Sequence, residues 1–281
     1  MPAATRKHNS KQRIAGATTA PILLRDVYEH IAVLTLNRPQ QRNSLSAALI
    51  DALQGELDRL SADPQVRAVV IAANGPVFSS GHDLKELSAR RGDADKGKAY
   101  FAELMVKCGR MMQTVVMSPK PVIAAVEGVA TAAGCQLVAS CDLAVAAGEA
   151  RFATPGVNIG LFCSTPMVAL SRNIPRKRAM EMLLLGDMLD AQSAADWGLV
   201  NRVVPVGQAL EGALSLARRI ASKSPATVKI GKQAFYRQLE VGIGEAYEQA
   251  AAVMVENMLY QDAKEGIDAF IEKRTPTWTG Q

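Results

Sequence analysis

Four short, nearly uninterrupted apolar runs constrain this chain most: Ile31-Ala32-Val33-Leu34-Thr35-Leu36, Val66 to Ala73, Val122-Ile123-Ala124-Ala125-Val126 and Leu143-Ala144-Val145-Ala146. Each has the length of a strand, and segments of helical period lie between them. A strand with one wet face alternates apolar and polar residues, whereas a run apolar throughout belongs in a sheet covered on both faces. Repeated strand–turn–helix units of this kind make an α/β core.

The punctuation agrees with that reading. Ile22-Leu23-Leu24 and Ile31 to Leu36 read as a hairpin turned around Asp26 to His30, and Asn37-Arg38-Pro39 stops the second strand. Ser46 is placed to cap a helix whose Leu49, Leu53, Leu57 and Leu60 lie on one stripe, with Asp63-Pro64 at its end. A charged stretch from Ala89 to Lys98 reads as a mobile surface loop, followed by a Met-rich helix from Tyr100 to Thr114. Gly128 ends the third run, and Ala132 to Ser140 follows as a helix of mostly small residues, the kind that admits close approach of other backbone. From Gly207 the strands cease, and helices are expected over Gln208 to Ala221, Ala226 to Leu239, Gly244 to Tyr260 and Ala263 to Lys273. The organisation expected is a disordered leader over 1–20, an α/β core over 21–206 and a helical extension over 207–281 that packs on the core or on a neighbouring subunit.

Composition removes several function classes. The 281 residues suffice for one large core, and no apolar stretch is long enough to span a membrane. The net charge of +5 is scattered in small clusters without interleaved aromatics, which argues against a nucleic-acid surface and suits a small polyanionic ligand. Cys108, Cys135, Cys141 and Cys163 form no C-x-x-C pair, and His8, His30 and His82 have no zinc-ligand spacing. A reduced compartment follows, cytoplasmic unless the basic leader addresses the chain to the mitochondrial matrix.

Two segments carry chemistry. Phe78-Ser79-Ser80-Gly81-His82-Asp83-Leu84 follows a strand directly, and Gly128 to Gln136 opens the small-residue helix. Each leaves backbone N–H groups unpaired at the start of the next element. Two such amides converging on one carbonyl oxygen would stabilise an enolate or a tetrahedral centre; a tightly packed helix start with no chemistry explains the second segment equally well.

Those segments, with Asn37-Arg38-Pro39, Pro121 to Gln136, Cys141-Asp142, Ala191 to Leu199 and Glu265 to Arg274, resemble the enoyl-CoA hydratase/isomerase (crotonase) superfamily over roughly Pro21 to Thr277. Gly160-Leu161-Phe162-Cys163-Ser164-Thr165-Pro166 and Ser79-Ser80-Gly81-His82 are similar to its enoyl-CoA hydratase domain-containing protein 3 group. The resemblance implies an α/β crotonase (ClpP/crotonase-like) fold: a repeated ββα spiral core and a C-terminal helical region that forms trimers, often paired as a dimer of trimers. It implies a coenzyme A thioester as substrate or ligand, with no prosthetic group. The thioester oxygen would be held by the backbone N–H groups of His82 and Ala133. Coenzyme A would lie along Gly81, Asp83, Leu84 and Lys85, with Arg38, Phe270 and Lys273 as further contacts, some from a neighbouring subunit.

In hydratases of the superfamily two glutamates activate water and handle the Cα proton, and they stand at the positions of Gln136 and Gly156. Glutamine has no proton to exchange near neutrality, and glycine has no side chain. The single acid that some isomerases use a turn later is absent from Phe162-Cys163-Ser164-Thr165-Pro166 as well. The chain is therefore expected to bind acyl-CoA and to hydrate enoyl-CoA weakly or not at all. Two alternatives stay open: an active hydratase, isomerase, decarboxylase or thioesterase using other proton carriers, and a structural or regulatory oligomer without affinity for coenzyme A. Among stand-ins, His82 is expected to act through its backbone, Asp83 to cap a helix, Glu127 to make a salt bridge or face solvent, and Asp142 to be a buried acceptor. Cys163 has no base beside it to make it a nucleophile.

Overall fold

The computed structural model of the protein describes residues 20–281; the expected leader lies outside them except for Ala20. Two strands, β1 (Leu23–Tyr28) and β2 (Ile31–Leu36), pair antiparallel. The turn between them is tighter than expected. Only Glu29 and His30 form it, at φ 46° and 73°, because two residues with positive φ match the twist of paired strands, and Asp26 to Tyr28 stay in the ladder. Helix α1 (Ala47–Ala62) starts where Ser46 Oγ accepts from the Leu49 amide at 3.3 Å. Its leucines at 49, 53, 57 and 60 are all buried.

Then come β3 (Ala68–Ala73), the short β4 (Val77–Ser79), α2 (Leu84–Arg90) and α3 (Lys98–Met117). The loop expected from Ala89 to Lys98 is shorter than its composition suggests. Asp95 accepts from the Gly97 and Ala99 amides at 2.9 and 2.8 Å, so α3 begins at Lys98. The unit then repeats as β5 (Val122–Val126), β6 (Val129–Thr131) and α4 (Ala133–Ser140). A third turn of the spiral gives β7 (Leu143–Ala147), β8 (Arg151–Ala153) and a 3-10 turn over Pro155–Ile159. Helices α5 (Pro166–Asn173) and α6 (Arg176–Leu185), β9 (Leu189–Asp190), α7 (Ala191–Asp196) and β10 (Arg202–Val204) complete the core. The long strands form one sheet in the order β1-β2-β3-β5-β7-β10, and the short ones form another, β4-β6-β8-β9.

The apolar runs are explained by their two destinations. Ala32, Leu34, Val69, Ile71, Val122 and Ala124 enter the main core with α1, α3 and α4. Their alternate neighbours Ile31, Val33, Ala68, Val70, Ile123 and Ala125 point the other way, onto Ala213, Leu216, Ala217 and Ala221. These last belong to α8 (Ala209–Ala221), so the first helix of the extension is the second cover of the sheet. Glu127 holds it there and corrects the sequence expectation. It makes neither a salt bridge nor a solvated face; its carboxylate accepts from the Gly207 and Ala209 amides at 2.9 and 2.6 Å.

Beyond α8, α9 (Pro225–Gln238), α10 (Ile243–Met258) and α11 (Gln261–Glu272) pack on one another, with α9 also against α3. Phe235, Tyr247, Met254, Leu259 and Phe270 are exposed along them. No helix among the described residues is long and apolar enough to cross a membrane.

The C-terminal tail is strapped to this extension by Asp262, a carboxylate 1% exposed. It accepts from the Thr279 amide and hydroxyl at 2.7 and 2.9 Å and from the Gly280 amide at 2.9 Å, while the Trp278 indole donates to the Ser222 carbonyl at 2.9 Å. Burial alone would raise the Asp262 pKa, but hydrogen bonds from Ser224, Thr279 and Gly280 outweigh it and leave the group below its usual value. A depressed carboxylate stabilises the folded form above its unfolded pKa of about 3.9, and that contribution is lost as pH falls through the folded value. Acidification below about pH 4 is thus expected to free the tail and shift Trp278 fluorescence to the red. Asp262→Ala is expected to show the shifted emission already at neutral pH; an unchanged spectrum would mean that the strap is held elsewhere.

Candidate functional site

The three parallel short strands β4, β6 and β8 are hydrogen-bonded neighbours, so the turns at their C-terminal ends stand side by side. Residues 80–83, 132–136 and 154–156 occupy those turns, the place where ligands meet parallel sheets. Gly81 has φ 86°, and a Cβ on it would stand 2.8 Å from the Ala132 Cβ and 3.1 Å from the Ala133 amide nitrogen. Gly134 fits as closely against the first turn, since a Cβ there would collide with the Ser79 carbonyl. Two segments separated by about fifty residues thus touch through glycines that have no alternative.

The first amide of α4 with a partner inside the helix is that of Gln136, bonded to the Ala132 carbonyl at 3.0 Å. The amides of Ala133, Gly134 and Cys135 therefore face out of the helix end beside His82. Ala132, which turns the chain into this helix, has φ 49° and ψ −121°, a conformation costing a side-chain-bearing residue about 1–3 kcal/mol. The register imposes it: the Ala132 amide is tied to the Ala153 carbonyl at 2.9 Å, and Thr131 pairs with Ala153 across β6 and β8.

Three side chains in these turns hold polar atoms that are buried and have no partner, both ring nitrogens of His82, Gln136 Oε1 and Thr154 Oγ1, and the Tyr100 hydroxyl on α3, beside Glu86, is a further one. Gln136 is 4% exposed and Thr154 fully buried. An unsatisfied buried polar atom costs about 1–3 kcal/mol, so each of these takes its partner from a bound molecule, water included. Burial lowers the His82 pKa below the usual imidazole value, while the Leu45 backbone, close but short of hydrogen-bond geometry, and the Glu86 carboxylate pull it back. Burial, with Glu86 adding to it, pushes the Tyr100 hydroxyl up to about 12.

Gly156 leaves no room behind it. A Cβ there would be 2.8 Å from the Leu161 carbonyl and 2.9 Å from Cys163 Sγ. The space a side chain at 156 would need is therefore filled by the 161–163 segment. Burial raises the Cys163 pKa, with the Gly156 backbone opposing it, and burial holds the neighbouring Cys135 at about 12. Both thiols stay protonated at neutral pH.

The residues expected to meet coenzyme A divide into three sets. Arg38 and Asp83 pair with each other at 3.2 Å, and Arg38 also donates to the Ser44 carbonyl at 2.8 Å, so neither is a free group. Asp83 also caps α2, accepting from the Lys85 and Glu86 amides at 3.2 and 3.3 Å. Its neighbours Gly81, Leu84 and Lys85 do line the first turn, the latter two exposed. Phe270 and Lys273 stand on and just after α11, which packs on α9 and α10, and the Phe270 ring is 85% exposed. Asp142 is the buried acceptor expected of it, bonded to the Val122 amide, the Tyr236 hydroxyl and Lys232. Sequence reasoning missed Glu86, Tyr100 and Thr154. For Glu86 a signal existed, since it is the acidic residue in the first turn of the helix that Asp83 caps, next to His82 in sequence; for the other two only the fold brings them in.

A sequence model described as enoyl-CoA hydratase/isomerase matches residues 26–281. The chain belongs to the enoyl-CoA hydratase/isomerase family. Among relatives, the mitochondrial enoyl-CoA hydratase domain-containing protein 3 of Xenopus laevis is 49% identical over 252 residues, 89% of this chain and 84% of the relative. Its human counterpart is 47% identical over 246 residues, 88% and 80% of the two chains. The crystal structure of the human protein superposes with a TM-score of 0.87 at 46% identity, covering 92% of this chain and all of the other. An enoyl-CoA hydratase from Mycobacterium smegmatis superposes equally well, TM-score 0.87 at 49% identity, over 92% of this chain and 99% of that one. Both the crotonase fold and the domain-containing protein 3 group, expected from the motifs, are thereby shown.

Proposed function

We propose that this family member binds acyl-CoA thioesters at the three adjoining turns and hydrates enoyl-CoA poorly or not at all. The observation that carries the reading is what stands at the two positions where the resemblance implies glutamates. Gln136 presents a neutral amide in a buried place, and the position of Gly156 is closed by Leu161 and Cys163. The amides of His82 and Ala133 would hold the thioester oxygen, and Lys85 is the cation left unpaired near the first turn for coenzyme A phosphates. The exposed apolar faces of α9–α11 suit a trimer or a dimer of trimers, in which Phe270 and Lys273 would serve a neighbouring site.

Calorimetric titration with octanoyl-CoA is the direct test, with micromolar affinity expected and the absence of heat overturning the reading. A hydration turnover of tens per second on short or medium enoyl-CoA would overturn the second half. The mitochondrial location in the names of the relatives favours the matrix over the cytoplasm for this chain, and fractionation of cells that express it decides between them. A second reading, an enzyme with other proton carriers, is favoured by the unpartnered buried side chains around the same turns.

A further inference from the structure

The ring of His82 occupies an unusual position. Its backbone forms an isolated bridge with Leu45 at the approach to α1, and its neighbour Gly81 packs against Ala132 and Ala133. Both ring nitrogens are shut off from solvent, yet no protein group bonds either one. Glu86 lies in the first turn of α2, which starts two residues after His82, its Oε2 fixed by the Ala47 amide at 3.1 Å, two residues from the partner of His82. An imidazole is the one side chain whose ordinary pKa suits proton transfer near neutrality, and His82 is the only histidine at these turns.

We infer that the His82 imidazole is the group that removes and returns a Cα proton of the bound acyl-CoA, with the Glu86 carboxylate as the nearby charge that steadies the imidazolium. The inference rests on the reading of the turns as an acyl-CoA site and says what chemistry remains there once hydration is lost. A neutral ring nitrogen takes the proton as the Cα–H bond breaks. The electron pair moves into the thioester, forming an enolate whose oxygen accepts from the His82 and Ala133 amides, and the imidazolium then returns a proton to Cα. No oxidant or second reactant is needed. The two amides and the imidazole come from one short turn and the helix facing it, so one bound geometry serves both.

The groups around the ring are few. Glu86 comes from α2, and Asp83 at the start of that helix is neutralised by Arg38. Tyr100 of α3 stands beyond Glu86, with the Arg90 guanidinium 4.7 Å from its ring centre. The α4 side offers Gln136 and the protonated Cys135 thiol. Glu86 is thus the one carboxylate able to tune the imidazole, and it raises the pKa that burial lowers.

The test is hydrogen exchange at Cα of octanoyl-CoA in heavy water, followed by proton NMR, with binding measured in parallel by calorimetry. The wild-type protein is expected to exchange the Cα protons, with a rate that rises through a single ionisation below the ordinary imidazole value and then levels. His82→Ala and His82→Gln keep the amide and are expected to lose exchange about 100-fold or more while still binding the thioester. Glu86→Gln retains an acceptor for the Ala47 amide and is expected to move the ionisation to lower pH, which a purely structural glutamate would not do. A wild-type protein that binds octanoyl-CoA without exchange overturns the inference and leaves the binding site standing. Undiminished exchange in both His82 variants overturns it too, and absence of binding removes the acyl-CoA reading along with it.

Discussion

An enoyl-CoA thioester is expected to be hydrated by this protein at least about 10⁴-fold more slowly than by a relative carrying both glutamates, since one general acid–base group is worth about 10²–10⁴ and the pair acts as a unit. The more informative result is how the two positions respond to repair. Gln136→Glu puts a near-isosteric carboxylate at the buried position on α4, and it is expected to raise hydration by about tenfold or more. Gly156→Glu is expected to do the opposite of a repair. Its side chain must displace the Leu161 carbonyl and Cys163 Sγ, which lie 2.8 and 2.9 Å from the site of its first carbon. Overpacking of that kind costs about 1–3 kcal/mol, so the double variant is expected to be less stable and no faster than Gln136→Glu alone. Enoyl absorbance and a denaturant titration check both halves. Recovery of full hydratase turnover in the double variant would show that the 161–163 segment yields freely.

The largest stability effect is expected at Lys232. Its side chain is 7% exposed, and its ammonium is bonded to Asp142 at 2.8 Å and to the Val115 and Lys120 carbonyls at 3.1 and 3.0 Å. All three donors are used. Asp142, 15% exposed, accepts in addition from the Val122 amide at 2.6 Å and the Tyr236 hydroxyl at 2.9 Å. Burial pushes the Asp142 pKa up and the Lys232 pKa down, each against the pull of the other. Removing one partner leaves the other charged and desolvated, so Lys232→Met is expected to cost about 3–5 kcal/mol and to lower the melting temperature by about 10 °C. Adding Asp142→Asn to it removes the stranded charge but keeps an acceptor, and much of the loss is expected to return. A Lys232→Met protein that melts with the wild type would show that the contact between α9 and the β5 end carries little stability.

Much of this molecule is readable along the chain because its signals are local. Ser46, Asp63-Pro64 and the leucine stripe mark α1 without help from elsewhere. The run Val122–Val126 is recovered residue for residue, since both faces of that strand are covered and its composition says so. The β1–β2 turn and the start of α3 are less legible for a complementary reason: positive φ at Glu29 and His30, and the loop in which Asp95 accepts from the Gly97 and Ala99 amides, are choices of backbone that several sequences permit. Glu127 looked like a surface charge because its two amide partners lie about eighty residues downstream.

The amino-acid order by itself determined the family and the α/β architecture, because these reside in residue identity and in patterns a few residues long. Only the tertiary structure decided that Gly81 abuts Ala133, that Leu161 and Cys163 fill the place beside Gly156, and that both His82 ring nitrogens are buried without a partner. Distances between segments far apart in the chain are set by sheet register and packing, and nothing in the local sequence encodes them.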